Sequence, residues 1–290
     1  MSLKNEKEIY YKKAQMGFFN NFSKKTDASK DKDLFYRFFV SMDEKKVRYA
    51  EDSIVEIIGK IPSRGLILEL GCGRGEHTLF AASIAQDIKI VSIDTSLESI
   101  KTSKKILKNQ NIEDKVSFVL CDAENLPFHN KTFDGVMAIM ILHHVPNIHR
   151  ALDQVNKAMK DDGMGVIVEL TSDNPARKFL IKVFKFLPKG IKGCIDNDYL
   201  LDDCDIPMIT SFRAETLKRN ILQNNLTILR QEKHSLFSGY IYMLFQVIPL
   251  IKILFSERRL IFLFSLESFL LEKTFLKRFG GAVVYWITKQ

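Results

Sequence analysis

The residues with the clearest chemical potential lie in one short stretch, 66–82, which reads LILELGCGRGEHTLFAA. An apolar run ends at Glu69, and the glycine-rich segment Gly71-Cys72-Gly73-Arg74-Gly75 follows almost at once. Glycine has no Cβ and tolerates positive φ, so such a turn leaves backbone amides open to a ligand at the start of a helix. The stretch therefore predicts a strand, a turn and a helix that bind a nucleotide-like ligand.

The glycine spacing and the charge of Glu69 indicate which kind of nucleotide. A dinucleotide fingerprint has the pattern G-x-G-x-x-G, whereas this turn has G-x-G-x-G and position 76 is Glu76. A carboxylate directly before the turn repels a pyrophosphate but suits a cationic ligand, by charge complementarity. An NAD-dependent oxidoreductase is therefore an alternative that both features disfavour.

Acidic residues at the ends of the next two predicted strands extend the same site. Asp94 ends an apolar run 23 residues after Gly71, close to the roughly 20-residue spacing of the acid that binds ribose hydroxyls in a βαβ unit. Capping of the next helix, near Thr95 or Ser96, is the alternative role for Asp94. Asp122 follows the third strand in the sequence DAENLPF, with loop capping as its alternative role.

The pattern E-x-G-x-G-x-G after a strand, followed by Asp94 and the DAENLPF segment, closely resembles class I S-adenosylmethionine (SAM) dependent methyltransferases, of the methyltransferase type 11 or ubiquinone-menaquinone methyltransferase-like kind. The resemblance covers about residues 45–172. It implies an enzyme that binds SAM, releases S-adenosylhomocysteine and needs no metal. The amino-acid end of SAM would lie at Glu69 and the glycines, the ribose at Asp94 and the adenine at Asp122. The implied cofactor-binding residues are Glu69, Gly71, Cys72, Gly73, Gly75, Asp94, Thr95, Asp122, Ala123 and Met140.

Two adjacent histidines, His143 and His144, follow the fourth predicted strand. In open α/β sheets the ligand crevice lies outside the carboxyl ends of the strands, so residues 140–144 should border the transferred methyl group. Either histidine is a candidate catalytic base for an acceptor that carries a proton. A structural hydrogen-bonding role is the alternative, and the resemblance of the F-D-x-V and L-H-H-V pattern does not say which histidine faces the substrate.

These residues need a sheet whose strands end at one edge. Apolar runs alternate five times with helical segments, which predicts a parallel, doubly wound α/β sheet. A turn at 160–163 should precede the fifth strand, and a helix at 214–222 should precede the last two strands. By resemblance, the whole forms a seven-stranded, mostly parallel, Rossmann-like sheet. The predicted strands are 66–69, 88–93, 116–120, 133–140, 165–170, 226–231 and 281–288.

The remaining segments are expected to cover this sheet. The sequence predicts an N-terminal arm or lid over residues 1–42 and a methyltransferase domain over 43–290, with helical cover insertions at about 173–210 and 236–279. Lysines recur at helical spacing within 177–192, and this basic amphipathic helix either covers the protein with snorkelling lysines or contacts a membrane surface peripherally.

The 236–279 segment has a strongly apolar composition. A membrane span needs about 20 predominantly apolar residues. Polar residues, glycine and proline interrupt both apolar runs of the segment, namely Gly239, Gln246, Pro249, Lys252 and Glu267. We therefore predict helices that cover a hydrophobic pocket, and with it a small apolar acceptor such as a lipid, an isoprenoid or a quinone.

Composition limits the other classes. The 290 residues are 46% hydrophobic, as in a globular protein, and the net charge of +8 permits an anionic partner. The sequence lacks the N-P-P-Y, D-P-P-Y and P-C motifs of nucleic-acid methyltransferases. An RNA methyltransferase and a non-catalytic SAM-binding regulatory protein stay open as alternatives. The four cysteines lack zinc-site spacing, which predicts reduced thiols in a cytoplasmic protein, at most peripheral at the inner face of the membrane.

Overall fold

A computed structural model describes residues 49–171, 213–234 and 280–290, together with the exposed side chains of Phe262 and Leu266. Several predictions concern residues outside these ranges and stay predictions: the arm at 1–42, the basic helix at 177–192 and the insertions at 173–210 and 236–279, apart from Phe262 and Leu266. Among the helices in the described ranges, none is both long and apolar enough to cross a membrane.

The described helices and strands are numbered here in chain order. The helices are α1 (Tyr49–Lys60), α2 (Glu76–Ile84), α3 (Leu97–Asn109), α4 (Ile148–Ala158) and α5 (Ala214–Gln223). The strands are β1 (Leu66–Leu70), β2 (Lys89–Asp94), β3 (Val116–Leu120), β4 (Phe133–Ile139), β5 (Met159–Leu170), β6 (Leu226–His234) and β7 (Ala282–Lys289). Short 3₁₀ turns occur at Glu113–Lys115 and Leu142–His144.

Within the described ranges, seven strands form one sheet in the order β3-β2-β1-β4-β5-β7-β6. Neighbouring strands from β3 to β5 are parallel, whereas β7 runs antiparallel to both β5 and β6. The predicted seven-stranded, mostly parallel, doubly wound sheet is thereby confirmed. The chain order reverses between β1 and β4, and in such sheets the ligand crevice lies at the carboxyl ends of the strands at this point.

Alternation along the strands sends apolar side chains to both faces of the sheet. In β4, Val136 and Ala138 pack into the core under α4 and α5, while Met137 and Ile139 pack into the core under α1, α2 and α3. Each fully buried aliphatic side chain contributes about 1.5 to 3 kcal/mol to folding. The two apolar cores hold the strand ends rigidly at the edge where the predicted site residues lie.

The fifth strand differs from its predicted boundaries. Residues 160–163, predicted as a turn, belong to β5, and the pairing register shifts between Phe133, opposite Met159, and Gly135, opposite Met164. The additional residues bulge outward, and Lys160 Nζ donates to Asp134 Oδ1 at 2.7 Å across the bulge. The predicted turn is therefore a bulge within a longer strand.

Candidate functional site

The glycine-rich turn connects β1 to α2 at the carboxyl edge of the sheet. Gly71, Gly73 and Gly75 have φ values of 73°, 51° and 91°, a conformation that favours glycine. A Cβ on Gly71 would lie 2.7 Å from the Ile141 side chain, and one on Gly75 would lie 2.8 Å from Ser103 Cα. A Cβ on Gly73 would meet no atom of the described residues within 4 Å. Two glycines thus permit close packing, while Gly73 leaves space among the described residues that a ligand can occupy.

Asp94, the last residue of β2, lies directly beside the turn. Its Oδ2 accepts a hydrogen bond from the Gly73 amide at 2.9 Å, and its Oδ1 accepts one from the Ser96 amide at 2.8 Å. The helix cap predicted as an alternative role belongs to Ser96, whose Oγ accepts from the Ser99 amide at 3.1 Å. Burial raises the pKa of Asp94, while the backbone amides oppose that shift. The carboxylate is therefore held in place with lone pairs left for a further donor.

Glu69 lies in the interior of the sheet, with 3% of its surface exposed. Its Oε2 accepts hydrogen bonds from Thr78 Oγ1 at 2.7 Å and from the Ser92 hydroxyl. Burial raises the pKa of Glu69 to about 7, and the negative charge of Asp94 adds to the shift. The carboxylate thus ties α2 and β2 to β1, and it can act on a ligand through its electric field rather than from an exposed surface.

Asp122 stands just beyond the end of β3. Its Oδ1 accepts from the Glu124 amide at 2.9 Å, the geometry of a local side-chain turn. The Cys121 amide donates to the Asp94 carbonyl at 3.1 Å, which brings the segment after β3 next to the end of β2. Ala123 is buried at 8% exposure. The structure therefore places the predicted ribose and adenine residues on adjacent strand ends.

Three further predicted cofactor-binding residues lie at the same edge. The Cys72 Sγ is 3.7 Å from Asp94 Oδ2, and burial raises the pKa of this thiol. Thr95 is exposed and Met140 is half-buried. Met140 has φ 55°, and its amide donates to the Val168 carbonyl at 2.8 Å. Left-handed backbone at a non-glycine residue is strained and concentrates at functional sites.

The histidine pair occupies the 3₁₀ turn after β4. His143 Nδ1 is 2.7 Å from Glu169 Oε2, and the same carboxylate accepts from the Leu142 amide through Oε1 at 2.6 Å. The rings of His143 and His144 are 3.9 Å apart between centroids. Burial, and next the charge of His143, hold the pKa of His144 well below its usual range. The two adjacent histidines therefore have different environments.

Glu169 is a candidate functional residue that the sequence analysis missed. It lies near the end of β5 and is completely buried, after the buried residues Val166, Ile167 and Val168. A single acid within the apolar run 165–170 was the available signal, because burying a charge is unfavourable unless it is paired. Glu69 in β1 shows the same pattern. Within the described part of the chain, no group of three or more side chains has the arrangement of a metal site.

Comparison with known proteins agrees with this geometry. Residues 67–163 match the family model described as a methyltransferase domain. This segment is therefore similar to the methyltransferase domain family. It covers a third of the 290-residue chain, from β1 into β5. The matched segment contains the glycine turn, Asp94, Asp122 and the histidine pair, which confirms the predicted resemblance over these residues.

A relative and two solved structures illustrate the range of similar proteins. Demethylmenaquinone methyltransferase of Symbiobacterium thermophilum is 30% identical over 115 residues, which is 39% of this chain and 45% of that protein. The chain thus spans less than half the length of this relative. Geranyl diphosphate C-methyltransferase of Streptomyces coelicolor, solved with S-adenosylhomocysteine, has a TM-score of 0.55 at 13% identity, over 83% of this chain and 78% of that one.

The second structure is the [4+2]-cyclase SpnF, with a TM-score of 0.55 at 16% identity over 82% of this chain and 79% of that one. At these identities the structural likeness establishes the fold alone. The fold of this chain is therefore shared by a protein named a methyltransferase and a protein named a cyclase, so activity has to be argued from the site.

Proposed function

We propose that this chain is a SAM-dependent methyltransferase that acts on a small, apolar acceptor. The observation that carries the proposal is the turn at Gly73. Its backbone has a left-handed conformation, a Cβ there would meet no atom of residues 49–171, 213–234 or 280–290 within 4 Å, and its amide lies 2.9 Å from Asp94 Oδ2. Open backbone beside a fixed carboxylate fits a ligand that carries both a polar chain and a ribose.

The residues at the carboxyl edge fit the parts of SAM in order. The open backbone at Gly73 would accommodate the amino-acid end, and Asp94 would accept hydrogen bonds from the ribose hydroxyls. Asp122 and the Ala123 amide would bind the adenine. Glu69, buried behind the turn, favours a cationic ligand because its pKa of about 7 falls when a positive charge approaches. When bound, SAM supplies an activated methyl group on a sulfonium.

The chemistry demanded of the protein is mostly alignment. Fixing donor and acceptor in line contributes roughly 7 to 11 kcal/mol at best. The rigid strand ends of β1, β2 and β4 serve this purpose, since they belong to one sheet packed on both faces. An acceptor would approach from β4, where Met140 and the histidine turn lie next to the glycine turn through the contact of Ile141 with Gly71.

The apolar acceptor is supported by composition and by relatives. The 236–279 segment is rich in Phe, Ile and Leu and precedes β7 in the chain. Similar proteins are named for a quinone acceptor and for an isoprenoid acceptor. We infer that the acceptor belongs to this broad class of lipid-like molecules.

The proposed binding of SAM is tested by measuring its affinity with isothermal titration calorimetry. Gly73→Ala leaves the fold intact apart from about 1 to 2 kcal/mol for a left-handed alanine, but its methyl group occupies the space assigned to the ligand. We expect at least a tenfold loss of SAM affinity, about 1.4 kcal/mol. Gly59→Ala in α1, where a Cβ meets no atom of the structurally described part of the chain within 4 Å, is the control and should bind as the wild type does. Equal affinity of both variants would contradict the assignment.

The acceptor half is tested by incubating the protein with methyl-labelled SAM and host-cell extract, then separating organic, aqueous and precipitated fractions. Label in the organic fraction is the expected result. Label in the aqueous fraction would contradict an apolar acceptor, and label in the precipitate would favour RNA or another macromolecule. Intact SAM binding without any transfer would favour a non-catalytic SAM-binding protein.

A further inference from the structure

The buried carboxylate of Glu169 is the feature that the proposed function does not yet use. Its exposure is 0%, and both of its oxygens bond to the turn after β4, through the Leu142 amide at 2.6 Å and His143 Nδ1 at 2.7 Å. An aliphatic residue would pack in this apolar strand at lower free energy than a charge. The carboxylate is thus placed where its effect falls on a single side chain, the imidazole of His143.

The contact determines which nitrogen of His143 carries the proton. An ionised carboxylate can only accept hydrogen bonds, so Nδ1 donates to Glu169, and in the neutral form of the ring the lone pair is on Nε2. A carboxylate–imidazole pair of this kind orients a general base in other enzymes. The His143 side chain keeps 14% of its surface exposed, which leaves the ring accessible at the edge of the sheet.

The Glu169–His143 pair lies at the same edge of the sheet as the glycine turn. Ile141 is two residues before His143, and a Cβ placed on Gly71 would lie 2.7 Å from the Ile141 side chain. The turn that contains His143 is thereby in contact with the glycine turn assigned to the cofactor. Met140 between β4 and this turn has the left-handed φ of 55°. The backbone is therefore bent at the boundary between the cofactor and acceptor sides.

We propose that Glu169 is a positioning residue that holds His143 as the general base for an acceptor bearing an O–H or N–H group. This role rests on the proposed methyltransferase function. His143 Nε2 takes the acceptor proton while the acceptor oxygen or nitrogen bonds to the methyl carbon. The carbon–sulfur bond breaks, its electron pair stays on sulfur, and S-adenosylhomocysteine leaves. The imidazolium, stabilised by Glu169, then returns its proton to water.

The test uses Glu169→Gln in the full chain. The amide keeps the shape and can still accept from the Leu142 amide, but its NH₂ group faces Nδ1 and selects the opposite tautomer. Nitrogen NMR should show Nδ1–H for His143 in the wild type and Nε2–H in the variant. The His143 resonances are identified by their absence from the spectrum of His143→Gln. Transfer from methyl-labelled SAM to cell extract should fall about 10²- to 10⁴-fold, while the Kd for SAM stays within about twofold.

Asp134→Asn is the matched control. Asp134 also bridges a backbone amide and a basic side chain, Leu66 N at 2.8 Å and Lys160 Nζ at 2.7 Å, but at the opposite edge of the sheet. It should leave both the His143 tautomer and the transfer rate unchanged. If Glu169→Gln does not fold, His143→Gln should show the same loss of transfer, and the tautomer is still measured in the wild type.

The outcomes separate the two proposals. An Nε2–H tautomer in the wild type overturns the positioning role of Glu169, and so does a transfer rate of Glu169→Gln within about threefold of the wild-type rate. The proposed methyltransferase function is still supported in either case if the wild-type protein binds SAM. Absence of SAM binding by the wild-type protein overturns the proposed function and the base role with it. SAM binding without transfer to any fraction also overturns the base role.

Discussion

The two halves of the sheet's carboxyl edge are built on different principles. At the ends of β1 to β3, the candidate site is mostly backbone, with an open glycine turn held to Asp94 by the Gly73 amide. At the ends of β4 and β5 it is made of side chains, with His143 fixed by the buried Glu169. A backbone site suits a ligand that is common to a whole family, whereas side chains can be exchanged to suit a particular acceptor.

The buried acids Glu69 and Glu169 sharpen this contrast. Glu69 is surrounded by neutral hydroxyl donors, those of Thr78 and Ser92, and its pKa rises to about 7. Glu169 instead bonds to a backbone amide and to an imidazole. The first carboxylate is therefore poised to respond to a nearby cation, and the second is committed to one histidine.

The largest effect should come from a methyl group at Gly75 in the cofactor half. Gly75→Ala combines a φ of 91° with a Cβ 2.8 Å from Ser103 Cα. We expect a loss of roughly 2 to 5 kcal/mol in the free energy of unfolding, from strain and overpacking. Urea denaturation measures it, with Gly59→Ala as a control that should gain about 0.5 to 1 kcal/mol. A variant as stable as the wild type would show that the turn is not tightly packed.

The next effect is a pH dependence of the free energy of unfolding that arises from Glu69. Its pKa of about 7 in the folded protein lies above the usual 4.5, so its contribution to stability is complete below pH 4.5 and is lost as the pH rises through 7. The loss is on the order of 3 kcal/mol. Urea denaturation at pH 5 and pH 8 should show a smaller decrease for Glu69→Gln than for the wild type. Equal decreases in both proteins would mean that Glu69 does not titrate in this range.

Removal of the Asp94 carboxylate should weaken SAM binding without unfolding the protein. Asp94→Ala eliminates the charge-assisted acceptors that we propose for the ribose hydroxyls, and we expect SAM binding to weaken by about 1 to 3 kcal/mol. Calorimetric titration measures the change. Asp161→Asn, at an exposed carboxylate that pairs with Lys131 and Lys289, is the control. Unchanged affinity in Asp94→Ala would remove Asp94 from the cofactor site.

The smallest effect should be that of a substitution in the proposed acceptor half on the affinity for SAM. His143→Gln lies on the acceptor side, so the Kd for SAM should change less than about twofold, although transfer falls. The same titration measures it. A large loss of SAM affinity would show that the histidine turn contributes to the cofactor site, and the division between the halves would then have to be abandoned.

The fold and the proximity of the glycine turn to Asp94 could be predicted from the sequence because their signals are local. Alternating apolar runs predicted the strands, and the helix predicted at 214–222 coincides with α5 except for its last residue. The glycine turn follows β1 and Asp94 ends β2, the next strand, so their proximity depends only on a βαβ unit. The boundaries of β5 were predicted less well, because a bulge keeps residues 160–163 in the strand.

Only the tertiary structure decided how the acceptor half is arranged. Glu169 and His143 are 26 residues apart in the chain, and the pairing of β4 with β5 brings them together. The sequence could propose either histidine, but burial distinguishes them, since His144 is held neutral while His143 bonds to a carboxylate. Sequence determines local backbone conformation and hydrophobic pattern. Strand register and desolvation arise only when distant segments pack, and these determine the chemistry of the side chains.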